Sequence, residues 1–203
     1  KGIKSLLGCD IWLENEVNRD QPYRLLLLCQ SQPGYLRLCQ LLTQAYLHNQ
    51  YRGRAEIKRL WFTEADTEGL ILLSGAMAGD VGQALLQDNM RHARQLATDW
   101  SHLFPNRFYI ELQRAGHAQQ EAYISRALAL AGEVNLPVVA THPLQFLDMD
   151  DFKAHEARVC IAEGYVLADK RRPQNFTADQ YFKTQAEMAE LFADIPEALT
   201  NSV

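Results

Sequence analysis

The stretch G-L-I-L-L-S-G-A-M-A-G-D-V-G, residues 69–82, decides how the chain is read. Its first half is a continuous apolar run opened by glycine, the pattern of a strand covered on both faces. Its second half carries Gly75, Gly79 and Gly82 and leads into two segments of helical period, residues 81–86 and 90–103. Strand, glycine turn and helix make one β/α step. The glycines are spaced G-x-x-x-G-x-x-G. No G-K-[ST] follows, so this is not a phosphate loop, and it is not the dinucleotide pattern G-x-G-x-x-G either. Turn geometry and close helix packing account for them.

The same alternation extends both ways. Residues 5–13 read as a strand with Cys9 and Ile11 on one face and Asp10 and Trp12 on the other. After the loop E-N-E-V-N-R-D-Q-P, residues 23–29 form a nearly all-apolar strand expected to be covered on both faces. Pro33 and Gly34 open a helix in which Tyr35, Leu38, Leu41, Leu42, Ala45 and Tyr46 recur at helical spacing. A short element is expected near residues 57–62, a fourth strand at 108–112, a helix at 119–134 and a fifth strand at 137–141. The remainder is helical with breaks: residues 151–163, a basic loop K-R-R-P, a Thr177 N-cap, and a T-x-x-E capping box opening residues 184–192. Such alternation implies an α/β fold with a mostly parallel sheet and surrounding helices, because parallel neighbours need long, usually helical, crossovers. Five strands fit an open sheet or part of a barrel. No repeat, low-complexity stretch or interdomain linker breaks residues 1–203, so one domain is expected.

Composition narrows the function classes. With 47% hydrophobic and 22% charged residues, the chain is globular rather than disordered. A net charge of -5 argues against a stand-alone nucleic-acid binder, which carries a basic surface. The longest aliphatic run, Leu25–Leu28, is far short of the roughly 18 residues of a membrane helix, so no membrane partner is expected. Cys9, Cys29, Cys39 and Cys160 lie in apolar stretches without a C-x-x-C pair, which reads as free thiols in a reducing, cytoplasmic compartment. The opening K-G-I-K-S-L-L-G has neither a signal-peptide core nor an initiator Met and reads as a cut inside a longer protein.

Ligands of parallel sheets gather at the carboxyl ends of strands. The candidates there are Asp10 with Trp12, Arg24, Ser74 with Gly75, Glu111 with Gln113 and Arg114, and His142 with Gln145. Each has a plainer reading. An isolated Asp is usually bonded locally, and a lone His is more often structural than a ligand. His155-Glu156 lacks the second histidine of H-E-x-x-H, no serine sits in G-x-S-x-G, and Lys170–Arg172 is short enough to be merely solvated.

Several longer segments carry a resemblance: G-C-D-I-W (8–12), the 69–82 stretch, F-P-N-R-F-Y-I-E-L-Q (104–113), P-V-V-A-T (137–141), D-F-K-A-H-E-A-R-V-C-I (151–161) and E-L-F-A-D-I-P-E-A-L (190–199). In this order they resemble the PHP (polymerase and histidinol phosphatase) domain of bacterial DNA polymerase III alpha subunits, of proteobacterial type, along essentially the whole chain. The resemblance implies a distorted β/α barrel, of which these would be about five of seven strands. The strands bearing the family's H-x-H motif would lie upstream, and the polymerase palm would follow residue 203. Active members hold about three divalent metals on His, Asp and Glu and cleave phosphoesters with metal-activated water.

At the matching positions this chain departs from that pattern. The family's Glu is Asp10, one His is Arg24, another is Ala115, and the N-D-x-H segment becomes His142, Pro143, Leu144 and Gln145. Pro and Ala offer no donor atom, Gln is a weak neutral ligand, and Arg is a fixed cation that repels metal. Asp10, Glu111, His117 and His142 are the possible residual ligands. The resemblance therefore implies a non-catalytic scaffold without bound metal or cofactor, in a parent polymerase whose Mg²⁺-dependent catalytic residues lie elsewhere. Its implied partners are the palm and thumb of the same chain, a proofreading exonuclease subunit, and DNA through the parent enzyme. The alternative is an active metal-dependent phosphoesterase or 3′–5′ nuclease on those four residues; a small-molecule barrel enzyme unrelated to replication is a third reading. Strands lost upstream would leave unpaired edges at the 5–13 strand and a far neighbour, to be covered by self-association of the fragment as a homodimer or by a rearranged element.

Overall fold

A computed structural model describes residues 2 and 5–202, without the side chains of Glu64 and Ala65. The opening residues Lys1, Ile3 and Lys4 fall outside it. Among the described residues there are seven strands and seven α-helices. The strands are β1 (Leu7–Leu13), β2 (Tyr23–Cys29), β3 (Gln50–Tyr51), β4 (Arg54–Ile57), β5 (Leu70–Leu73), β6 (Phe108–Gln113) and β7 (Val138–Thr141). They hydrogen-bond in the order β3-β4-β1-β2-β5-β6-β7. The α/β class is as expected.

The expected direction of the strands is corrected. The sheet is mixed: β1 with β4 and β5 with β6 are parallel, whereas β1 with β2, β2 with β5 and β3 with β4 are antiparallel. Residues 14–22 between β1 and β2 are too few for a helical crossover, which takes a dozen or more residues. They fold instead as a compact turn around Asn15, whose Oδ1 accepts from the Val17 and Asn18 N–H groups while its Nδ2 donates to the Gln21 carbonyl at 2.8 Å. The chain therefore returns alongside β1. A hairpin, β3–β4, is added to the five expected strands; its turn places Arg52 and Gly53 at φ 50 and 79, the left-handed pair of a two-residue hairpin.

By contact pattern the chain divides into two compact units, residues 1–111 with 122–138, and residues 112–121 with 139–203. In the first, α1 (Gln32–His48) is capped by Ser31, whose Oγ accepts from the Gly34 N–H at 3.3 Å, and buries Gly34, Leu38, Leu41 and Ala45 in one stripe. Strand β2 is fully covered on one face only: Leu25 and Leu27 are buried while Leu26 and Leu28 are half-buried, which corrects the expectation of two covered faces. Helix α2 (Asp80–Leu86) and helix α3 (Met90–Leu103) follow β5, and α4 (Gln120–Val134) follows β6. Trp100 on α3, Phe104 and Phe62 form the aromatic centre of the core, with Phe62 edge-on to Trp100 at 5.6 Å.

The second unit holds α5 (Phe152–Glu163), α6 (Gln185–Leu191) and α7 (Pro196–Thr200). Gly164, in the left-handed region at φ 77, ends α5, and its N–H bonds to the Cys160 carbonyl. The capping box at Thr184 forms as expected: Thr184 Oγ1 accepts from the Glu187 N–H and Glu187 Oε2 accepts from the Thr184 N–H at 2.7 Å. No helix starts at Thr177. Its hydroxyl donates to the Ala115 carbonyl instead, and residues 177–180 form a turn closed by the Gln180 N–H. The tertiary acceptor won over the capping role. No helix among the described residues is long and apolar enough to cross a membrane.

Candidate functional site

The sequence-nominated positions fall in both units. Asp10, Arg24 and Glu111 belong to the first; Ala115, His117, His142, Pro143 and Gln145 belong to the second.

On β1 and β2 the register pairs Asp10 with Leu26 and Trp12 with Arg24, so Arg24 lies diagonally across from Asp10 on the same sheet face. The guanidinium takes both carboxylate oxygens, Nε to Oδ1 at 3.0 Å and Nη2 to Oδ2 at 2.8 Å. The fork takes two of the roughly four lone-pair sites of the carboxylate and sets a fixed positive charge against it, which opposes a second cation there. Trp12 beside them is 42% exposed and faces the Arg54 guanidinium at 5.7 Å. Glu111 on β6 is buried; its N–H donates to Ser74 Oγ at 2.9 Å and its carbonyl accepts from the Tyr123 hydroxyl at 2.7 Å. Burial, reinforced by the Glu111 carboxylate, pushes the Tyr123 phenol well above its ordinary range.

In the second unit, Ala115 is buried and its backbone carries the contacts: the N–H donates to Gln120 Oε1 at 2.9 Å, which also accepts from the His117 N–H at 3.1 Å. His117 lines an open cleft of about 350 Å³ with Arg114, Gly116, Asp179 and Lys183. Arg114 is held by Asp194 and Glu121, two bonds to each carboxylate, and by the Leu191 carbonyl at 2.6 Å, so its cationic form is strongly favoured. His142 follows β7 with both ring nitrogens buried and without a hydrogen-bond partner among the described residues. Burial and the Lys183 ammonium hold its pKa below the usual imidazole value, against the pull of nearby carbonyls of Asp179, Tyr181 and Arg114. Pro143 and Gln145 are used through their backbones: the Pro143 carbonyl accepts from Gln180 Nε2 at 3.0 Å, and the Gln145 N–H donates to the Gln180 carbonyl at 2.9 Å. Buried Gln180 is thus the clasp of this loop, and nothing in its sequence context singled it out.

Within neither unit, among the described residues, do three His, Cys, Asp or Glu side chains gather in a group that could hold a metal ion. A family model, "PHP domain", matches residues 1–115. This chain belongs to the PHP domain family. The chain is also 48% identical over 204 residues to the DNA polymerase III subunit alpha of Neisseria meningitidis serogroup B, covering 100% of this chain and 18% of that protein. It is 45% identical to the subunit of the same name from Pseudomonas aeruginosa and 41% identical to that of Escherichia coli K12, each over 202 residues, 100% of this chain and 17% of the relative. The chain therefore spans less than a fifth of the length of the curated relatives it matches.

Two polar clusters of the first unit escaped the sequence reading. Glu56 on β4 is fully buried between Arg19 and Arg54. Asp80, buried in the first turn of α2, accepts from Trp100 Nε1 at 2.9 Å and from Arg59. Burial raises the Asp80 carboxyl pKa against the opposing pull of Arg59 and Trp100. The signal for Asp80 was present in G-D-V-G, where an acid opens a helix. Glu56 had none.

Proposed function

We propose that this PHP domain is part of the alpha subunit of a replicative DNA polymerase in the bacterial cytoplasm and acts there as a scaffold without its own chemistry. The observation that carries this is identity of 41–48% along the whole chain to proteins named DNA polymerase III subunit alpha. Template-directed synthesis, with its Mg²⁺, belongs in this reading to the rest of the polypeptide. The domain packs on the palm and thumb and docks the proofreading exonuclease subunit; DNA is met through the parent enzyme.

The non-catalytic part of the reading draws on the donor set. Asp10 is engaged by Arg24, and Ala115, Pro143 and Gln145 supply backbone bonds rather than charged oxygens or imidazoles. Multi-cation sites need several carboxylates in fixed positions. Titration calorimetry of this chain with Mn²⁺ or Zn²⁺ tests it, beside a 3′-trimming assay of the full-length polypeptide on a mismatched primer without the exonuclease subunit. Heat of binding at the buffer baseline and no trimming are expected. Micromolar binding at more than one site, or metal-dependent trimming, would overturn the scaffold in favour of a phosphoesterase on Asp10, Glu111, His117 and His142. The open β1 edge, paired with β4 only at Trp12 and Leu13, supports self-association of the fragment, which light scattering at high concentration checks.

A further inference from the structure

His155 is a buried histidine that the proposed function does not use. It sits on the first half of α5 at 6% exposure. Its ring meets Phe176 edge-on at 4.6 Å and Phe146 at 5.4 Å, and Phe146 in turn meets Phe152 at 5.9 Å. Three segments of the second unit therefore close on one imidazole: α5, the stretch before Phe176, and a short parallel bridge that joins Phe146 to Tyr181. Arg158 Nη2, one turn along α5, lies 3.2 Å from Nδ1, and the guanidinium can only donate, so Nδ1 is an acceptor and the ring proton resides on Nε2. Nε2 is buried with no hydrogen-bond partner among the described residues.

This cage accepts only the neutral ring. A proton on Nδ1 would remove the acceptor from Arg158 and set two cations side by side. Of the charged groups around the ring, Arg158 opposes protonation and Glu156 favours it, but Glu156 is tied to Arg172 at 2.6 Å. The phenylalanines on the other two segments carry no charge. We propose that His155 is an acid-sensitive latch: as the neutral ring it holds α5 and the stretch before Phe176 against the Phe146–Tyr181 bridge, and its protonation releases them. Burial first, then Arg158, lowers the folded-state pKa below the usual imidazole value. The direction follows: the latch is closed above the unfolded pKa of about 6.5 and weakens as pH falls below it.

Hydrogen exchange with mass-spectrometric readout on the full-length polypeptide at pH 7.5 and 5.5, corrected for intrinsic rates, tests this. A ring that stays neutral in the folded state raises the opening constant of residues 152–163 and 173–177 by up to about tenfold over that range. The buried thiol of Cys160 on α5 should become reactive toward dithiodipyridine in parallel. His155→Phe, which fills the cage and cannot titrate, should flatten the response. Should that variant misfold, Arg158→Met serves: removing the neighbouring cation lets the folded ring titrate nearer its ordinary range and shrinks the acid response. Opening that does not change with pH in the unsubstituted protein, or that changes as much in the variants, would overturn the latch.

Discussion

Glu56→Gln is the most direct test of what holds the first unit together. The carboxylate is fully buried and accepts four charge-assisted bonds: Arg19 Nε and Nη2 on Oε2 at 3.1 and 2.8 Å, and Arg54 Nε and Nη2 on Oε1 at 2.9 and 2.6 Å. Both guanidiniums also face the Tyr51 ring, at 4.7 and 5.9 Å. The amide keeps one acceptor oxygen but turns an NH₂ toward one of the arginines, donor against donor. Removing one partner of a buried ion pair costs about 3–5 kcal/mol. Here the arginine side chains retain 30% and 24% exposure and can recover some hydration, so about 2–4 kcal/mol is expected. For a chain of this size that lowers Tm by about 4–15 °C. All three tryptophans, Trp12, Trp61 and Trp100, lie in the first unit, so their fluorescence during urea unfolding reports on it alone. The midpoint should fall at unchanged slope. A loss below about 1 kcal/mol would refute the reasoning, because it would mean the arginines are satisfied without the carboxylate.

Two further outcomes can be checked on the same protein. At Gly75, φ is +76 and an added Cβ would stand 1.7 Å from the Arg24 carbonyl oxygen, so Gly75→Ala should destabilise the first unit by about 2–4 kcal/mol, again by urea unfolding. Glu187 has its pKa lowered to about 2, first by the Tyr181 hydroxyl at 2.5 Å and then by the Thr184 cap. A depressed carboxyl stabilises the fold above its unfolded pKa of about 4.3 and loses that contribution as pH falls toward the folded value. The opening constant of residues 185–191, taken from amide exchange corrected for intrinsic rates, should therefore rise between pH 4.5 and 2 in the unsubstituted protein, and Glu187→Gln should show that raised constant already at neutral pH.

The strand and helix positions were legible because their apolar runs are long and bounded by Gly, Pro or Asn: residues 23–29 and 90–103 match β2 and α3 end to end. Strand direction was less so. Nine residues between β1 and β2 already argued for a tight return, but composition does not announce the Asn15 turn that makes it. The β3–β4 hairpin turns on Arg-Gly rather than Asn-Gly, and its strands are too short for alternation to show. Among the site positions, the Asp10–Arg24 pair could not be foreseen because cross-strand neighbours depend on register. Gln180 and the His155 cage are assembled from segments distant in sequence, where no periodicity links the partners.

The start of α1 has one more consequence. A Cβ on Gly34 would lie 2.0 Å from the Gly69 carbonyl oxygen, so here helix meets strand approach as bare main chain, with no rotamer between them. Elsewhere in the core a shifted helix can be absorbed by a side chain changing its torsion. At this seam there is nothing to flex, and a push on the amino end of α1 is handed directly to the chain entering β5, which makes the pair a stiff mechanical joint.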